Sequence, residues 1–401
     1  MANRHGDIDM KGLESHAMAW VPQDFANAST PPYIVQLGEE DVVEVEEALD
    51  SFKDLGLDGD AVSRDKFPLP KLQERLREAC LNVHHGQGFA IVRGLDPDTY
   101  SVEDNLSLYL GIASYIGDKR GMQDKKGNMI THVTDSKNWS APHQVRHGIH
   151  TNSGLAWHND MGVDILALHV RANAEIGGQT YVAPAWTICK ELSKSHPDVL
   201  ETLMQPRWPI QISGSPPRHI LAPLLQVYEG KIMISLDPGR LGLHPATARL
   251  NGNSAVIPDL TDAQRGALDT VAELATNYRL CLDTQPGDMV FINNWALLHA
   301  RDPYVDPADG ARPRRHLVRL WLRNSELGWD IPPTDMRAPW EAAFGTGKDT
   351  EKEGKGGGWY RGAKVDKKYP VVPALEYKVP RYTAGSAAFM IEDNDDVNAQ
   401  A

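Results

Sequence analysis

One stretch of the chain decides the fold: PGDMVFINNWALLHAR, at residues 286–301. A Pro-Gly-Asp turn leads into a short apolar run that ends in two asparagines, which predicts a buried strand. His299 follows just beyond that run. Taken alone, such a histidine is more often a core or turn residue than a ligand. Its chemical role therefore depends on a second motif elsewhere in the chain.

The second motif is Trp157-His158-Asn159-Asp160. On an extended chain, residues i and i+2 point to the same side, so His158 and Asp160 would offer a nitrogen and an oxygen ligand together. A lone His-x-Asp pair often arises by chance. Combined with His299, however, it completes the two-histidine, one-carboxylate set of non-haem Fe(II) oxygenases, which leaves coordination positions open. A bidentate 2-oxo acid and O₂ could fill those positions.

The third motif is Arg315-His316-Leu317-Val318-Arg319. On a strand, Arg315 and Arg319 share one face, and two inward guanidiniums require anionic partners. A dicarboxylate co-substrate would supply one, because arginine binds a carboxylate through two parallel hydrogen bonds. The alternative is that both arginines pair with acids of the protein surface.

Short apolar runs bounded by Gly, Pro or Asp predict strands through the centre of the chain, and amphipathic periodicity predicts helices around them. The strands are expected at 88–95, 164–170, 180–185, 231–236, 288–293 and 315–323. The helices are expected at 41–53, 69–83, about 103–116 and 259–278, the last with a capping box of Thr261 and Gln264. The polar stretch 119–150 is expected to be a long functional loop.

Composition excludes several classes of protein. The formal net charge is −13, so no basic surplus suggests a nucleic-acid partner. No segment approaches the roughly 20 apolar residues of a membrane span, and the N-terminus has no apolar signal region. The three cysteines form no Cys-x-x-Cys pair, which argues against a disulfide framework or a cysteine zinc site. We expect a cytoplasmic protein without a membrane partner; a homodimer is possible, but the sequence does not decide it.

The order of these motifs (His-x-Asp, Gly-Gly-x-Thr at 177–180, Pro-Gly-Asp with two asparagines, His299, and RRHLVRLWL at 314–322) resembles the TauD/TfdA-like family. These are taurine dioxygenase and clavaminate-synthase-like Fe(II)/2-oxoglutarate oxygenases, and the fungal branch is the most similar. The resemblance covers 85–325. It implies a mainly β fold with flanking helices around a double-stranded β-helix (jelly-roll, cupin-like) core. We expect an N-terminal arm with helices at 1–84, a dioxygenase domain with insertions at 85–340, and an extension at 341–401. That extension would contain a flexible charged loop (348–358) and an acidic end (391–396).

The resemblance also implies roles for individual residues. His158, Asp160 and His299 match the iron ligands. Thr180 and Arg315 match residues that hold 2-oxoglutarate. Arg319 matches a position that often meets an anionic group of the substrate. The step from His299 to Arg315 is longer than the usual family spacing, so Arg315 and Arg319 could exchange roles.

Further candidates are hypotheses from position alone. The possible substrate contacts are Arg240, Asn152, Ser153, Gln123 and His132. For the last four, ordinary loop polarity is the alternative interpretation. Asn294 could orient His299 from behind, and Trp157 and Trp295 flank the ligands, where packing is more common than substrate binding.

The resemblance implies an enzyme that uses Fe(II), 2-oxoglutarate and O₂ to oxidise an unactivated C–H bond. Hydroxylation, desaturation and ring formation are all open, with release of succinate and CO₂. The expected substrate is a small, carboxylate-bearing molecule such as an amino acid or a secondary-metabolite intermediate. One alternative is a metal-dependent hydrolase, which has no need for the pair of Thr180 and Arg315. The other is a non-catalytic small-molecule binding protein on the same barrel, which should have lost a metal ligand, yet all three are present.

Overall fold

The structure is a computed structural model. It describes residues 16–26, 31–124, 127–140, 142–143, 146–212, 218–242, 257–308, 312–333, 337–345 and 368–375. The loop predicted at 348–358 and the acidic end predicted at 391–396 lie outside the described residues.

Helices flank a predominantly β structure. The α-helices in these ranges are α1 (Glu39–Asp54), α2 (Gln73–His85), α3 (Val102–Ala113), α4 (Ala185–Ser195), α5 (Pro197–Met204), α6 (Asp262–Asn277) and α7 (Arg337–Phe344). The strands up to residue 184 are β1 (Ile34–Gln36), β2 (Phe89–Arg93), β3 (Lys119–Arg120), β4 (Ile130–Val133), β5 (Leu155–His158), β6 (Ile165–Ala172), β7 (Ile176–Gly177) and β8 (Thr180–Pro184). The later strands are β9 (Trp208–Ile212), β10 (Arg218–Ala222), β11 (Leu225–Tyr228), β12 (Lys231–Ile234), β13 (Leu280–Cys281), β14 (Met289–Asn293), β15 (Leu297–Arg301), β16 (Tyr304–Val305) and β17 (His316–Arg323).

A seven-stranded sheet forms the centre, in the order β1-β2-β14-β6-β17-β3, with β4 also paired to β17. Its middle strands are antiparallel and apolar on both faces. On β14, Met289 and Phe291 pack against the core that contains α1, α2 and α3. The alternate residues Val290 and Ile292 pack into a second core on the other face. This two-sided burial explains why the strand reads as a continuous apolar run.

A four-stranded sheet, β13-β8-β15-β5, shares the second core with α4, α5 and α6. This sheet carries the histidines of the first two motifs. The prediction of mainly β structure with flanking helices is therefore confirmed, and the two sheets do not close into a barrel in the part of the chain that is described.

The Pro-Gly-Asp turn fixes the start of β14. Asp288 is fully buried and accepts two hydrogen bonds from Arg93, at 2.8 and 2.7 Å. Gly287 has a φ of 92°, and a Cβ there would lie 1.7 Å from the carbonyl oxygen of Leu95. Only glycine fits this position, because both the conformation and the space exclude a side chain.

Most predicted elements are confirmed within a few residues. Helix α6 begins at the predicted capping box, in which Thr261 accepts from the backbone of Gln264 and the Gln264 side chain accepts in return. The long loop predicted at 119–150 is wrong in part, since β3 and β4 lie within it. Among the described residues of the centre, helices α4 and α5 accompany the predicted helix α6.

No helix among the described residues is long and apolar enough to cross a membrane. Cys80 and Cys189 are buried as free thiols, and Cys281 is partly buried.

Candidate active site

His158 and His299 face each other across two paired strands. β5 and β15 are antiparallel, and their register places His299 directly opposite His158. The two imidazole centroids are 4.2 Å apart. One potential ligand atom from each histidine and one from Asp160 lie within 4.8 Å of one another. The two motifs, separated by more than a hundred residues in sequence, thus meet at one point.

Asp160 is held in place by its backbone. It follows the end of β5, and Asn294 accepts from its N–H at 2.9 Å and donates to its carbonyl at 2.6 Å. Asn159, between the two ligands, is fully buried and bonds to the backbone of Ile234, Leu236 and Asn294. Asn294 therefore supports Asp160, where the sequence had suggested that it orients His299.

Two side chains of β17 hold the Asp160 carboxylate. Arg319 Nη1 donates to Oδ2 at 3.0 Å and Trp321 Nε1 donates to the same oxygen at 2.7 Å. Burial would raise the pKa of Asp160, but the charges of Arg319 and the two histidines outweigh burial and lower the pKa to about 2. Asp160 is therefore an anion, and Oδ1 is left for another partner.

Both histidines offer ring nitrogens as ligands. Burial, followed by the proximity of His158, lowers the pKa of His299 to about 3, so the His299 imidazole is uncharged at neutral pH. His299 Nδ1 is buried without a hydrogen-bond partner in the described chain. Nδ1 of His158 lies 2.7 Å from the carbonyl of Ala156, which leaves Nε2 for a metal. Two imidazoles and one carboxylate fit Fe(II) and would leave positions open for a co-substrate.

Thr180 and Arg315 both lie near the start of β8, which pairs with the strand that carries His299. Thr180 begins β8, which pairs with β15, and is 6% exposed. Arg315 precedes β17 and donates through Nη2 and Nε to the carbonyl of Gly178, at 3.0 and 3.3 Å. Its Nη1 is buried with no hydrogen-bond partner among the described residues. Burial lowers the pKa of Arg315 to about 10, and the neighbouring charge of Arg301 contributes.

Arg319 and Gln123 form a linked pair on the other side of Asp160. Arg319 Nε donates to Oε1 of Gln123 at 2.9 Å, and Gln123 Nε2 donates to the carbonyls of Met129 and Arg319. Gln123 is completely buried. Arg319 and Gln123 thus form part of the wall of the site, and Arg319 bonds there through Nη1 and Nε.

His147 and Arg240 are two further side chains near Asp160 whose pKa values are lowered. Arg240 is 2% exposed, and its Nε lies 3.7 Å from Asp237. Burial lowers the pKa of Arg240 to about 10, and the charges of Asp237 and Asp160 partly offset this effect. Burial lowers the pKa of His147 well below its ordinary value, and His150, Arg319 and Arg240 lower it further. His147 was not a sequence candidate, because its polar stretch carries no periodic pattern.

Three sequence candidates have other contacts. Asn152 donates to the carbonyl of Tyr304 at 3.1 Å, and the side chain of Ser153 is exposed. His132 lies on the face of β4 that contacts His316, at 2.7 Å, and its other nitrogen is 2.7 Å from the carbonyl of Pro370. The structure thus brings none of the three against the cluster of His158, Asp160 and His299.

The two tryptophans pack behind the site. Trp157 is buried in the core and donates to Thr276 at 3.0 Å. Trp295 donates to Asp164 at 2.8 Å, and Asp164 in turn pairs with Arg323. Both indoles anchor the strands that carry the histidines.

Sequence reasoning missed Arg301, Tyr304 and Trp321. Arg301 and Trp321 stand two residues beyond His299 and Arg319 on their strands, so period-two alternation could have found them. Tyr304 has no such signal, because its place depends on a turn after β15.

Known proteins share both the sequence pattern and the fold. The model of the family described as "Taurine catabolism dioxygenase TauD, TfdA family" matches residues 51–321. The chain is 36% identical to the taurine hydroxylase-like protein SAT17 of Stachybotrys chartarum, over 82% of this chain and 85% of that protein. It is 25% identical to the FR-33289 synthase of Streptomyces rubellomurinus, over 80% of this chain and 93% of that protein.

Solved structures share the fold at low sequence identity. One is an asparagine oxygenase in complex with Fe(II), 3-hydroxyasparagine and succinate, with a TM-score of 0.56, 17% identity, and coverage of 73% of this chain and 93% of that one. Another is the non-haem iron oxygenase OrfP with Fe, succinate and (3S)-hydroxy-L-Arg, with a TM-score of 0.52, 19% identity, and coverage of 73% and 94%. The expected jelly-roll core is thereby confirmed. The family match and the 36% identical relative show that the chain belongs to the TauD/TfdA family of non-haem iron dioxygenases, which use Fe(II), 2-oxoglutarate and O₂.

Proposed function

We propose that this enzyme oxidises an unactivated C–H bond of a small, carboxylate-bearing molecule, such as an amino acid or a secondary-metabolite intermediate. Hydroxylation converts the substrate, 2-oxoglutarate and O₂ to the alcohol, succinate and CO₂. Desaturation or ring formation removes two hydrogens instead and yields water in place of the hydroxyl group.

His158, Asp160 and His299 would hold the iron, and Thr180 with Arg315 would hold 2-oxoglutarate. The iron, with both co-substrates bound, supplies an oxidant strong enough to remove hydrogen from carbon. The chain supplies the rest: Arg319, Trp321 and Asn294 fix Asp160, and the buried walls exclude water from the reacting atoms.

Charge is the observation that carries the proposal. Four arginines of the described chain have less than a tenth of their surface exposed: Arg240, Arg301, Arg315 and Arg319. Arg319 donates to Asp160 and the charge of Asp160 acts on Arg240. Arg301 lies two residues after His299 on β15, and Arg315 donates to Gly178, two residues before Thr180.

A buried guanidinium is costly unless an anion meets it. Asp160 and Asp237 pair with Arg319 and Arg240, and the charges of Asp306 and Asp135 act on Arg315 and Arg301. Nη1 of Arg315 and both Nε and Nη1 of Arg301 nevertheless have no hydrogen-bond partner among the described residues. A dianionic co-substrate and an acidic group of the substrate would supply acceptors at this site, where an iron ion would add further positive charge.

Relatives support a small substrate that carries an acidic group. Structural neighbours carry hydroxyasparagine and hydroxyarginine, both of which are amino acids. A further relative, 28% identical over 46% of this chain, is the uridine-5'-phosphate dioxygenase of an Amycolatopsis species, whose name contains a phosphate ester.

Succinate formation tests the proposal. Protein reconstituted with Fe(II) and 2-oxoglutarate without oxygen is exposed to O₂, with and without pools of amino acids and small carboxylates. We expect iron-dependent succinate that one pool raises, and a product from that pool whose mass rises by one oxygen or falls by two hydrogens.

His158→Ala and Arg315→Ala should abolish succinate formation. Their matched controls are His85→Ala and Arg265→Ala, which change exposed side chains outside the site. Absence of succinate from the wild-type protein in every pool would refute the oxygenase assignment. Succinate raised only by uncharged compounds would refute the anionic substrate.

A further inference from the structure

Arg301 lies on the wall of the site that faces the co-substrate residues. It is two residues beyond His299 on β15, so the two side chains share a face. The register of β15 with β8 places Arg301 directly opposite Thr180. Directly opposed residues of an antiparallel pair lie side by side on one face. Arg301 and Thr180 are therefore neighbours on the face that carries His299.

One of the three guanidinium nitrogens of Arg301 bonds to backbone carbonyls. Nη2 donates to the carbonyls of Gly148, Thr151 and Ser153, the first two at 3.3 and 3.0 Å. These carbonyls belong to the segment that leads into β5 and His158. Nε and Nη1 of Arg301 are buried and have no hydrogen-bond partner in the described part of the chain. The charge of Asp135 acts on Arg301, but the Asp135 carboxylate also lies 3.9 Å from Lys137 and 3.9 Å from Arg146.

Tyr304 connects Arg301 to Arg315. Its ring centroid is 5.1 Å from the Cζ atom of Arg301 and 5.1 Å from that of Arg315. The hydroxyl of Tyr304 is buried without a hydrogen-bond partner among the described residues, as is Nη1 of Arg315. Asp306, the nearby acid, accepts from the backbone N–H of Arg315 at 2.9 Å. Oδ2 of Asp306 is also buried without a hydrogen bond, so it does not meet these donors. Donors from three side chains thus make no hydrogen bond to the described chain.

An unmet buried donor costs about 1–3 kcal/mol, so several together at one place indicate a ligand. The donors are two guanidiniums and a phenol, which match a carboxylate with its two oxygens and four lone pairs. A dicarboxylate 2-oxo acid held at the metal by its 2-oxo end would carry its second carboxylate several atoms away, and Thr180 and Arg315 would hold that carboxylate.

We propose that Arg301 and Tyr304 join Arg315 and Thr180 in binding the carboxylate of 2-oxoglutarate that is remote from the 2-oxo group. This inference rests on the proposed function. It makes Arg301 a positioning and selectivity residue for the co-substrate, which also ties the co-substrate to the segment 148–153 before the iron ligands. The site then selects dianionic 2-oxo acids over monoanionic ones.

The test compares two ligands on one protein. Affinities of 2-oxoglutarate and of 2-oxopentanoate, which has the same chain length without the second carboxylate, are measured by anaerobic calorimetry on Mn(II)-loaded protein. Arg301→Gln should weaken the affinity for 2-oxoglutarate by about tenfold or more, which corresponds to the loss of one charge-assisted hydrogen bond. The affinity of the same variant for 2-oxopentanoate should stay within about twofold of the wild-type value. Tyr304→Phe should show the same selectivity with a smaller effect, and Arg301→Lys should recover part of the loss.

If Arg301→Gln lowers the affinities for both ligands equally, or lowers neither, the inference is overturned. Arg301 would then serve only to hold the backbone of residues 148–153. If Arg301→Gln does not fold, the comparison of Tyr304→Phe and Arg301→Lys with wild type decides by the same criterion. Manganese content controls for damage to the metal ligands. Failure of the proposed function would look different, since the wild-type protein would then bind no 2-oxoglutarate.

Discussion

The glycine at position 178 offers a direct test of how Arg315 is placed. Gly178 has a φ of 73°, and a Cβ there would lie 2.8 Å from Nε and 2.9 Å from Cδ of Arg315. Gly178→Ala therefore has two effects: backbone strain, and displacement of the guanidinium. We expect its 2-oxoglutarate affinity to fall by about tenfold, because the displaced arginine loses a charge-assisted hydrogen bond.

Gly230→Ala is the matched control. Gly230 has nearly the same φ, 74°, but nothing lies within 4 Å of its would-be Cβ. A non-glycine residue in this left-handed conformation costs about 1–2 kcal/mol, so Gly230→Ala should lose only that much stability. Gly178→Ala should lose about 1–3 kcal/mol more, the usual cost of overpacking.

Two measurements separate the effects: urea unfolding for stability, and anaerobic calorimetry with 2-oxoglutarate on Mn(II)-loaded protein for binding. Gly178→Ala should change both, whereas Gly230→Ala should change stability alone. Metal binding should stay normal in both, because neither glycine contacts His158, Asp160 or His299. Equal 2-oxoglutarate affinity in the two variants would refute the assignment of Arg315 to the co-substrate.

Three other predictions follow from individual contacts. Asn294→Ala removes three hydrogen bonds, to Asp160 and Val163, and should weaken metal binding roughly 10- to 100-fold, measured by metal titration with the exposed Asn173→Ala as control. Asp288→Asn breaks the buried pair with Arg93 and should cost about 3 kcal/mol in urea unfolding, while Asp262→Asn, in an exposed Asp–Arg pair, should change little; similar losses in both would contradict this. Burial lowers the pKa of His132 to about 4 and the pKa of His316 to about 3, from an ordinary value of 6.5. Between about pH 6.5 and pH 4 the unfolded chain therefore binds more protons than the folded protein. The free energy of unfolding should fall as the pH drops through this range. That fall should be shallower in His132→Asn, and a pH profile identical to that of the wild type would show that the pKa of His132 is not lowered in the folded protein.

The pairing of His158, the last residue of β5, with Asp160 just beyond it was predictable because their geometry is local. Alternation on an extended chain puts residues 158 and 160 together whatever surrounds them. The same holds for helix α6, whose start is fixed by a side chain–backbone pair four residues long, Thr261 to Gln264. Such features need no knowledge of distant contacts.

The contacts of Asn294 and His132 were not predictable, because they depend on which strands meet. Asn294 bonds to Asp160 across 134 residues of sequence. His132 lies on β4, a four-residue strand in a polar stretch with no apolar alternation to reveal it. That strand forms because the edge of β17 offers backbone groups that need partners. Its register then pairs His132 with Val318 and turns His132 away from Arg319.

We propose from the geometry of β17 that Arg315, and not Arg319, binds the co-substrate. Arg315 and Arg319 are four residues apart, about 13 Å along an extended chain, and Trp321 continues the same face. Because Arg319 and Trp321 both hold Oδ2 of Asp160, Arg319 is fixed at the metal end of this face. Arg315 then lies at the far end, where it meets Gly178, Tyr304 and the wall that carries Thr180. Exchange of the two roles would require β17 to slide by four residues, which would separate Asp160 from both of its donors.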